Sequence, residues 1–221
     1  MDETQVRKLA QIAHRKKIRA GQTIISDEDP VDFFANVISG AIKLTKTLPD
    51  GRQQIVGLLF APDFLGRAYS KNNPYTAEAA TDVEICTFPN AAFERLVGEY
   101  PGLQQRLFQH TLDELDAARD WMLLLGRKTA EEKVASFLYM LARRSMLGGC
   151  AHKNEAGSAA FELPLTRSDM ADYLGLTIET VSRQLTRLKT SHVIRLSTSR
   201  LIMVPDLKRL ALAAGQDGDR H

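Results

Sequence analysis

The first half of the chain has apolar residues at a period of two rather than 3.6 between about Ile18 and Phe88. Ile42 and Leu44, for example, alternate with polar residues, as expected where one face of a sheet is buried. The predicted strands are Thr23–Ile25, Phe33–Ile38, Ala41–Thr45, Gln54–Phe60 and Thr76–Phe88, with turns near Gly21, Gly40 and Pro49–Gly51. Many short strands with regular turns, and no parallel βαβ pattern, predict a β-sandwich or jelly roll.

A helical period replaces the strand period after residue 100. Apolar residues recur every three or four positions over about 25 residues, namely Leu103, Leu107, Phe108, Leu112, Leu115, Met122 and Leu125. Phe108, Leu115 and Met122 are seven residues apart, which is the spacing of a coiled-coil seam. The predicted dimer interface consists of Phe108, Leu112, Leu115, Arg119 and Met122. The alternative is that the stripe packs against the chain's own β-roll.

A capping box opens a second helix. Thr129 is followed three residues later by Glu132, and the helix is expected to extend to about Leu147. Its apolar positions, expected to face the C-terminal domain, are Val134, Phe137, Leu138 and Leu141. Gly126 precedes this helix and predicts a hinge between two domains.

Residues 163–194 contain two short amphipathic helices around a turn at Gly175. Thr166, with Asp169 three residues on, resembles a capping box for the first helix, and Thr177 can cap the second. The predicted packing face of the second helix consists of Ile178, Val181, Leu185 and Leu188, while Gln184 stands where an apolar residue is usual. This arrangement predicts a helix-turn-helix, and the alternative is an ordinary helical hairpin with a solvated face.

The outward face of the second helix carries groups that can read DNA. Arg183 can donate twice to guanine, Glu179 can accept from cytosine N4, and Ser182 can contact either type of base. The predicted phosphate contacts are Arg167, Ser168, Thr180, Arg187, Lys189 and Thr190. Between residues 176 and 200 there are five Lys and Arg residues against one acid, although the whole chain has a net charge of only +2. The basic charge therefore lies where a DNA groove would be.

Two apolar runs after this helix, Ile194–Ser197 and Arg200–Val204, predict a β-hairpin wing, and Leu207–Ala214 predicts a short helical tail. The expected fold class is α+β: an N-terminal β-roll (jelly roll), a long dimerisation helix and a C-terminal winged helix-turn-helix. The expected domains are residues 1–98 (β-roll), 99–126 (dimerisation helix) and 127–221 (winged helix-turn-helix, DNA-binding).

The residues Glu179–Arg183, preceded by Tyr173–Thr177, resemble the recognition motif of the CRP/FNR superfamily of transcription regulators. Ser182 places the likeness in the FNR and FixK branch, because the cyclic-AMP receptor branch has Gly there. Pro62–Gly66 resembles the signature turn of the family's sensor domain, so the resemblance implies that residues 1–98 form a cyclic-nucleotide-binding-like β-roll (jelly roll) with a sensor-like role. The resemblance implies a homodimeric activator that recognises TTGAT-N4-ATCAA and controls genes for low-oxygen respiration, denitrification or nitrogen fixation.

The resemblance implies two candidate effectors, a cyclic nucleotide and an iron–sulfur cluster, and the residues that each one needs can be compared with this sequence. A cyclic-nucleotide pocket needs a Glu directly after Gly66 and an Arg-Ser or Arg-Thr pair further on, but this chain has Arg67 and Tyr75–Thr76. The iron–sulfur cluster of FNR needs four thiolates, yet residues 1–30 contain no cysteine, and Cys86 alone matches the ligand in the β-roll. We therefore expect neither cyclic nucleotide nor iron–sulfur cluster.

Cysteine and histidine give weaker signals. Cys86 is expected to be a small core residue on a strand, and Cys150 lies in a predicted loop; a redox role stays open for both. The five histidines show no metal-ligand spacing, so no metal site is expected. Haem is not expected either, although His14 or His110 could serve as an axial ligand. An effector-gated sensor, responding to haem, nitric oxide or thiol redox state, is the alternative function.

The sequence also bears on the compartment, on enzymatic activity and on a contact with RNA polymerase. There is no run of about 18 apolar residues and no leader pattern, and two cysteines suit a reducing compartment, so a cytoplasmic protein without membrane contact is expected. No catalytic constellation is recognisable, so no enzyme is expected. The turn around Asp50, Gly51 and Arg52 matches a surface by which FNR touches RNA polymerase; the alternative is an ordinary hairpin tip.

Overall fold

The computed structural model describes residues 3–27, 29–70, 72–147, 157–198 and 200–216, with side chains from Arg7 onward. Cys150 lies outside the described residues. The chain forms two compact units, Met1–Ala118 and Arg119–His221. The long helix α3 (Pro101–Arg127) contributes residues to both units and is the helix predicted at 99–126. The division into three domains stays a prediction.

The first unit is a β-roll of two four-stranded antiparallel sheets, in the orders β1-β8-β3-β6 and β2-β7-β4-β5. Its elements before α3 are α1 (Glu3–Ile12), β1 (His14–Ile18), β2 (Thr23–Ile25), β3 (Phe33–Ser39), β4 (Ala41–Thr47), β5 (Gln53–Phe60), β6 (Phe64–Leu65), β7 (Thr76–Ala79), β8 (Val83–Pro89) and α2 (Asn90–Glu99). The predicted jelly-roll class is thereby confirmed. Burial of one residue in two, as along β7 and β8, explains the period of the sequence.

Two apolar clusters stabilise this unit. The first includes Val37, Ile42, Leu65 and Ile85, each almost fully buried. The second joins α2 and the start of α3 to the sheet, and its members are Phe34, Phe88, Phe93, Val97 and Leu103. The rings of Phe34 and Phe93 stack with 4.4 Å between centroids. The first residues of the predicted helical stripe therefore belong to the core of this unit.

Several elements of the first unit were not predicted. Residues 76–88 were predicted as one strand, but they form β7 and β8 with a turn between them. Strand β1 has the sequence HRKKI and lies exposed at a sheet edge, paired with β8, so it carries no apolar alternation. Helices α1 and α2 and the two-residue strand β6 were also missed.

The second unit surrounds a three-stranded antiparallel sheet in the order β10-β11-β9. Besides the end of α3, its elements are α4 (Ala130–Leu147), β9 (Ala159–Glu162), α5 (Arg167–Leu174), α6 (Ile178–Thr190), β10 (Arg195–Leu196), β11 (Leu201–Val204) and α7 (Leu207–Ala213). The predicted wing is the hairpin of β10 and β11, and the predicted tail is α7. Strand β9 was not predicted; it pairs with β11 and completes the sheet.

Helix α4 lies at the centre of the second unit. The capping box predicted at its start is present: the Thr129 N–H donates to Glu132 Oε2 at 2.8 Å, and the Glu132 N–H donates to Thr129 Oγ1 at 3.3 Å. Its predicted apolar positions are all buried, namely Val134, Phe137, Leu138 and Leu141. Helix α4 contacts α6, α7 and β9, and it therefore forms the base on which the helix-turn-helix rests. Gly126 lies in the last turn of α3, and its role as a hinge stays a prediction.

Candidate DNA-binding site

The turn between α5 and α6 has the geometry that the sequence predicts. Thr166 caps α5 by accepting from the Asp169 N–H at 3.1 Å, while Asp169 Oδ2 accepts from the Thr166 N–H at 3.1 Å. Gly175 ends the helix with φ +61°, in the left-handed region that favours glycine. Thr177 then caps α6 by accepting from the Thr180 N–H at 3.2 Å. Both helix starts and the turn glycine are confirmed.

Helix α6 buries one face and exposes the other. The buried residues are Val181, Gln184, Leu185 and Leu188. Ile178 was predicted on the packing face, but its side chain is 46% exposed. Since Ile178 is the first residue of the helix, it lies at the edge of the packed face rather than within it. Gln184 is buried on this face, and its Oε1 has no hydrogen-bond partner among the described residues.

The three predicted base-reading residues lie together on the exposed face. Glu179, Ser182 and Arg183 are all exposed, and their spacing of three and four residues places them on neighbouring turns. The pKa of Glu179 is lowered, because its own backbone N–H and the Thr177 hydroxyl donate to the carboxylate. The carboxylate is therefore ionised at neutral pH and directed at the start of α6, where it can accept a hydrogen bond from a base.

The predicted phosphate contacts differ in how accessible they are. Ser168 and Lys189 are exposed, Thr180 is half-buried beside Thr177, and the Thr190 hydroxyl donates to the Arg187 carbonyl at 2.9 Å. Arg167 is half-buried, its Nη1 lies 3.7 Å from the Met170 sulfur, and burial lowers its pKa. Its guanidinium therefore belongs partly to the packing of α5, which the sequence pattern did not indicate.

Arg187, another predicted phosphate contact, forms an ion pair within the second unit. Its Nη1 lies 3.2 Å from Oε2 of Glu131, in the first turn of α4. Arg195 and Arg200 of the wing are also exposed, although neither is among the predicted contacts. Their place on a hairpin directly after α6 is the signal that could have identified them.

Most of the predicted dimer residues on α3 are solvent-exposed apolar side chains. Phe108 is 64% exposed, Leu115 45% and Met122 71%; Leu112 and Arg119 are exposed as well. Leu103 is buried in the second cluster of the β-roll, and Leu107 packs against that cluster. The first turns of the stripe therefore pack on the β-roll. The heptad-spaced positions are uncovered in the single chain, and their role in a dimer interface stays a prediction.

The predicted polymerase-contact turn lies at the tip of the β4–β5 hairpin. Arg52 donates through Nε to Asp50 Oδ2 at 2.8 Å and through its N–H to Asp50 Oδ1 at 3.1 Å. Gly51 has φ +87°. Leu48 beside it is 52% exposed. The turn therefore exposes one apolar side chain beside an ion pair of two charged ones.

Two residues of the β-roll differ from those that a cyclic nucleotide needs, and the absence of this ligand stays a prediction. Arg67 is exposed and offers no acceptor for a ribose hydroxyl. Burial is the largest cause that raises the pKa of Tyr75, so this side chain is a neutral phenol, and the nearby charge of Arg67 opposes the shift only in part. Nearby, a pocket of about 460 Å³ is lined by Arg67, His110 and Glu114 together with apolar side chains. The His110 ring lies 5.0 Å from the Phe64 ring.

Thiols and metal ligands are sparse in the described part of the chain. Cys86 lies on β8 against the second cluster, and burial raises the pKa of its thiol, which disfavours the reactive thiolate. A single thiol does not fit a four-thiolate cluster. His14 is exposed on β1. Among the described residues there is no group of three or more His, Cys, Asp or Glu side chains placed to bind a metal ion. The redox roles of Cys86 and Cys150 stay predictions.

A β-roll, a long helix and a winged helix-turn-helix that exposes the predicted base-reading side chains are together typical of a DNA-binding transcription regulator. Comparison with known families agrees with this class: residues 15–100 match the cyclic nucleotide-binding domain, and residues 132–213 match the Crp-like helix-turn-helix domain. No helix among the described residues is long and apolar enough to cross a membrane.

Individual relatives place the chain within the class. It is 51% identical over 210 residues to a probable transcriptional activator of Rhizobium leguminosarum bv. viciae, covering 95% of this chain and 85% of that protein. It is 48% identical to the transcriptional activator protein FnrL of Cereibacter sphaeroides, covering 99% and 87%. The structure of FixK2 from Bradyrhizobium japonicum superposes with a TM-score of 0.81 at 34% identity, covering 91% and 97%. The chain belongs to the Crp/FNR family, as its motifs predict.

Proposed function

We propose that this regulator is a homodimer that binds the palindrome TTGAT-N4-ATCAA and activates transcription by contacting RNA polymerase. The observation that carries the proposal is the exposure of Glu179, Ser182 and Arg183 on one face of α6, while the opposite face is buried in the second unit. The likeness to FnrL and FixK2 supports the choice of palindrome and of low-oxygen, denitrification or nitrogen-fixation genes as targets. The cytoplasm is the compartment in which such a regulator acts.

Each half-site of this palindrome contains one G·C pair, and α6 carries one group for each base of that pair. The Arg183 guanidinium can donate to O6 and N7 of guanine, and the ionised Glu179 carboxylate can accept from N4 of cytosine. Ser182 adds a short hydroxyl between them. Lys189, Arg195 and Arg200 supply positive charge for the phosphates on either side.

Dimerisation follows from the exposed stripe on α3. Phe108, Leu115 and Met122 are large, apolar and uncovered, and pairing them with a second copy removes this surface from water. A two-fold dimer presents two α6 helices to successive major grooves, which is why the target is a palindrome. The Asp50–Arg52 turn, with Leu48 beside it, is the proposed contact with RNA polymerase.

A second candidate function is effector-gated DNA binding, and the pocket beside His110 favours it. The pocket combines apolar walls with an imidazole, a guanidinium and a carboxylate, which suits a small polar or haem-like effector. We nevertheless favour effector-independent binding, because the sequence lacks the Glu after Gly66 that a cyclic nucleotide needs and has only two cysteines, fewer than the four thiolates of a cluster.

Fluorescence anisotropy with aerobically purified, effector-free protein tests the proposal. Labelled duplexes should carry the palindrome, the palindrome with its G·C pairs inverted, and a scrambled sequence. The proposed function predicts binding to the first duplex about 10³-fold or more tighter than to the third. Equal binding to all three would contradict it, whereas palindrome binding that needs an added effector, or a coloured purified protein, would support the second candidate.

A further inference from the structure

The ion pair between Arg187 and Glu131 joins the DNA-facing helix to the base of the second unit. Arg187 Nη1 and Glu131 Oε2 are 3.2 Å apart, and the two side chains are 65% and 30% exposed. Arg187 is one turn beyond Arg183 on α6, at the flank of the exposed face. The pair therefore lies at the rim of the proposed DNA interface and not in the core.

Glu131 is available for this pairing because its neighbour performs the capping. Glu132 is engaged by the N–H and hydroxyl of Thr129, and these hydrogen bonds lower its pKa. Glu131 is not part of that box; it extends from the first turn of α4 to α6. The start of α4 thus carries two carboxylates with different partners, one within its own helix and one on the helix that faces DNA.

We propose that Glu131 limits the affinity for DNA by competing with a backbone phosphate for the guanidinium of Arg187. The inference rests on the proposed DNA-binding function. In the free protein the Arg187 guanidinium pairs with the Glu131 carboxylate. On DNA the guanidinium must either leave this carboxylate for a phosphate or pair with both anions. The Glu131 carboxylate then remains near the polyanion, within the Debye length of about 8 Å at physiological ionic strength.

Two considerations show that the Glu131 carboxylate weakens DNA binding rather than strengthening it. An exposed ion pair contributes only about 0–1 kcal/mol to stability, so its loss leaves the fold intact. An unscreened carboxylate beside a phosphate opposes binding on every sequence, because backbone contacts carry no base information. Glu131 therefore keeps binding to random DNA weak without changing which site is chosen.

A double-mutant cycle on the full chain measures this competition. The variants are E131Q, R187Q and the double variant, assayed by anisotropy on the palindrome and on a scrambled duplex from 50 to 200 mM salt. We expect E131Q to bind both duplexes about 3- to 10-fold more tightly. The slope of log affinity against log salt concentration should also become steeper, by about one released counterion. We expect R187Q to lose more affinity in the E131Q background than in the wild-type background.

The matched control is E99Q, which removes the same charge from the first unit, where Glu99 pairs with Lys8 at 3.8 Å. E99Q should leave both affinities within about twofold of the wild type. Unchanged or weaker binding by E131Q would overturn the inference, and so would an E131Q effect that persists in full when Arg187 is absent.

Heparin chromatography separates failure of this inference from failure of the proposed function. Heparin is a polyanion without base sequence, so the competition for Arg187 operates there whether or not the palindrome is the target. E131Q should elute at higher salt than E99Q, and this difference should become smaller in the R187Q background. Co-elution of E131Q and E99Q would refute the competition even if the palindrome is bound, whereas loss of palindrome binding with the elution shift intact would refute only the proposed function.

Discussion

The indole ring of Trp121 stacks on the phenol ring of Tyr173, with 4.1 Å between centroids and 19° between planes. Trp121 belongs to the last turns of α3, and Tyr173 belongs to α5, the first helix of the helix-turn-helix. Phe137 of α4 meets the same phenol edge-on, at 5.6 Å and 73°. The end of the long helix is therefore part of the aromatic core that supports the DNA-binding helices.

Because Trp121 is the only tryptophan, its fluorescence reports on this stack alone. Tyr173→Leu removes the ring that covers the indole, so we expect the emission maximum to move to longer wavelength and the unfolding free energy to fall by about 1–3 kcal/mol. Tyr173→Phe is the matched control, since it keeps the ring and should keep the emission maximum. An unchanged spectrum in Tyr173→Leu would show that the stack does not exist in solution.

The buried amide of Gln184 predicts that an apolar side chain of similar length at this position stabilises the protein. Its Oε1 is buried without a partner among the described residues, and an unsatisfied buried acceptor costs about 1–3 kcal/mol. Gln184→Met keeps the length of the side chain and removes the amide, so urea unfolding should show a gain of about 1–2 kcal/mol. Gln184→Ala also removes the amide but leaves a cavity, and it should not stabilise. A loss of stability in Gln184→Met would mean that the amide is satisfied in solution.

The exposed seam of α3 predicts how the oligomeric state changes with sequence. Phe108→Glu places a charge at the first position of the proposed apolar interface, on a side chain that is 64% exposed, and we expect a monomer in sedimentation velocity together with at least a tenfold loss of affinity for the palindrome. Leu48→Glu is the control, because Leu48 is an exposed apolar residue of the β4–β5 hairpin. Dimers that persist in Phe108→Glu would place the interface elsewhere.

The capping box of α4 predicts a pH dependence of stability. The Thr129 N–H and then the Thr129 hydroxyl lower the pKa of Glu132 below its ordinary value. A carboxyl with a lowered pKa stabilises the fold above its unfolded pKa of about 4.3, and this contribution disappears as the pH falls through the folded-state pKa. Glu132→Gln should therefore have a lower Tm than the wild type at pH 7, with the difference shrinking below about pH 4. A Tm difference that is constant from pH 7 to pH 3 would contradict this assignment.

The helix-turn-helix could be predicted from sequence because its determinants are local. Gly175 needs a left-handed backbone, and Thr166 and Thr177 each satisfy N–H groups within three residues of themselves. Such short-range requirements can be read in order along the chain. The same is true of Thr129 and Glu132 at the start of α4.

Features that depend on distant partners could not be predicted. Strand β1 is identified by its pairing with β8 and β9 by its pairing with β11, and neither shows a clear apolar pattern. The ion pair of Glu131 and Arg187 joins two helices whose relative placement no local pattern encodes. Ile178 was misplaced because helical periodicity gives the direction of a side chain but not whether a neighbour covers it.

Selection of binding sites from random duplex DNA tests the central claim most directly, namely that Glu179, Ser182 and Arg183 read bases in the major groove. Three aerobically purified, effector-free proteins should be compared: the wild type, Arg183→Ala and Lys189→Ala. Lys189 is the matched control, since it is exposed on the same helix but is a predicted phosphate contact. We expect Arg183→Ala to cost about 1–3 kcal/mol on the palindrome, while Lys189→Ala weakens all sequences alike and lowers the salt dependence by about one counterion.

The account predicts that the wild type and Lys189→Ala both enrich TTGAT-N4-ATCAA, while Arg183→Ala enriches a palindrome in which the guanine position accepts other bases. Recovery of fragments without a shared palindrome, or an unchanged guanine preference in Arg183→Ala, would contradict it.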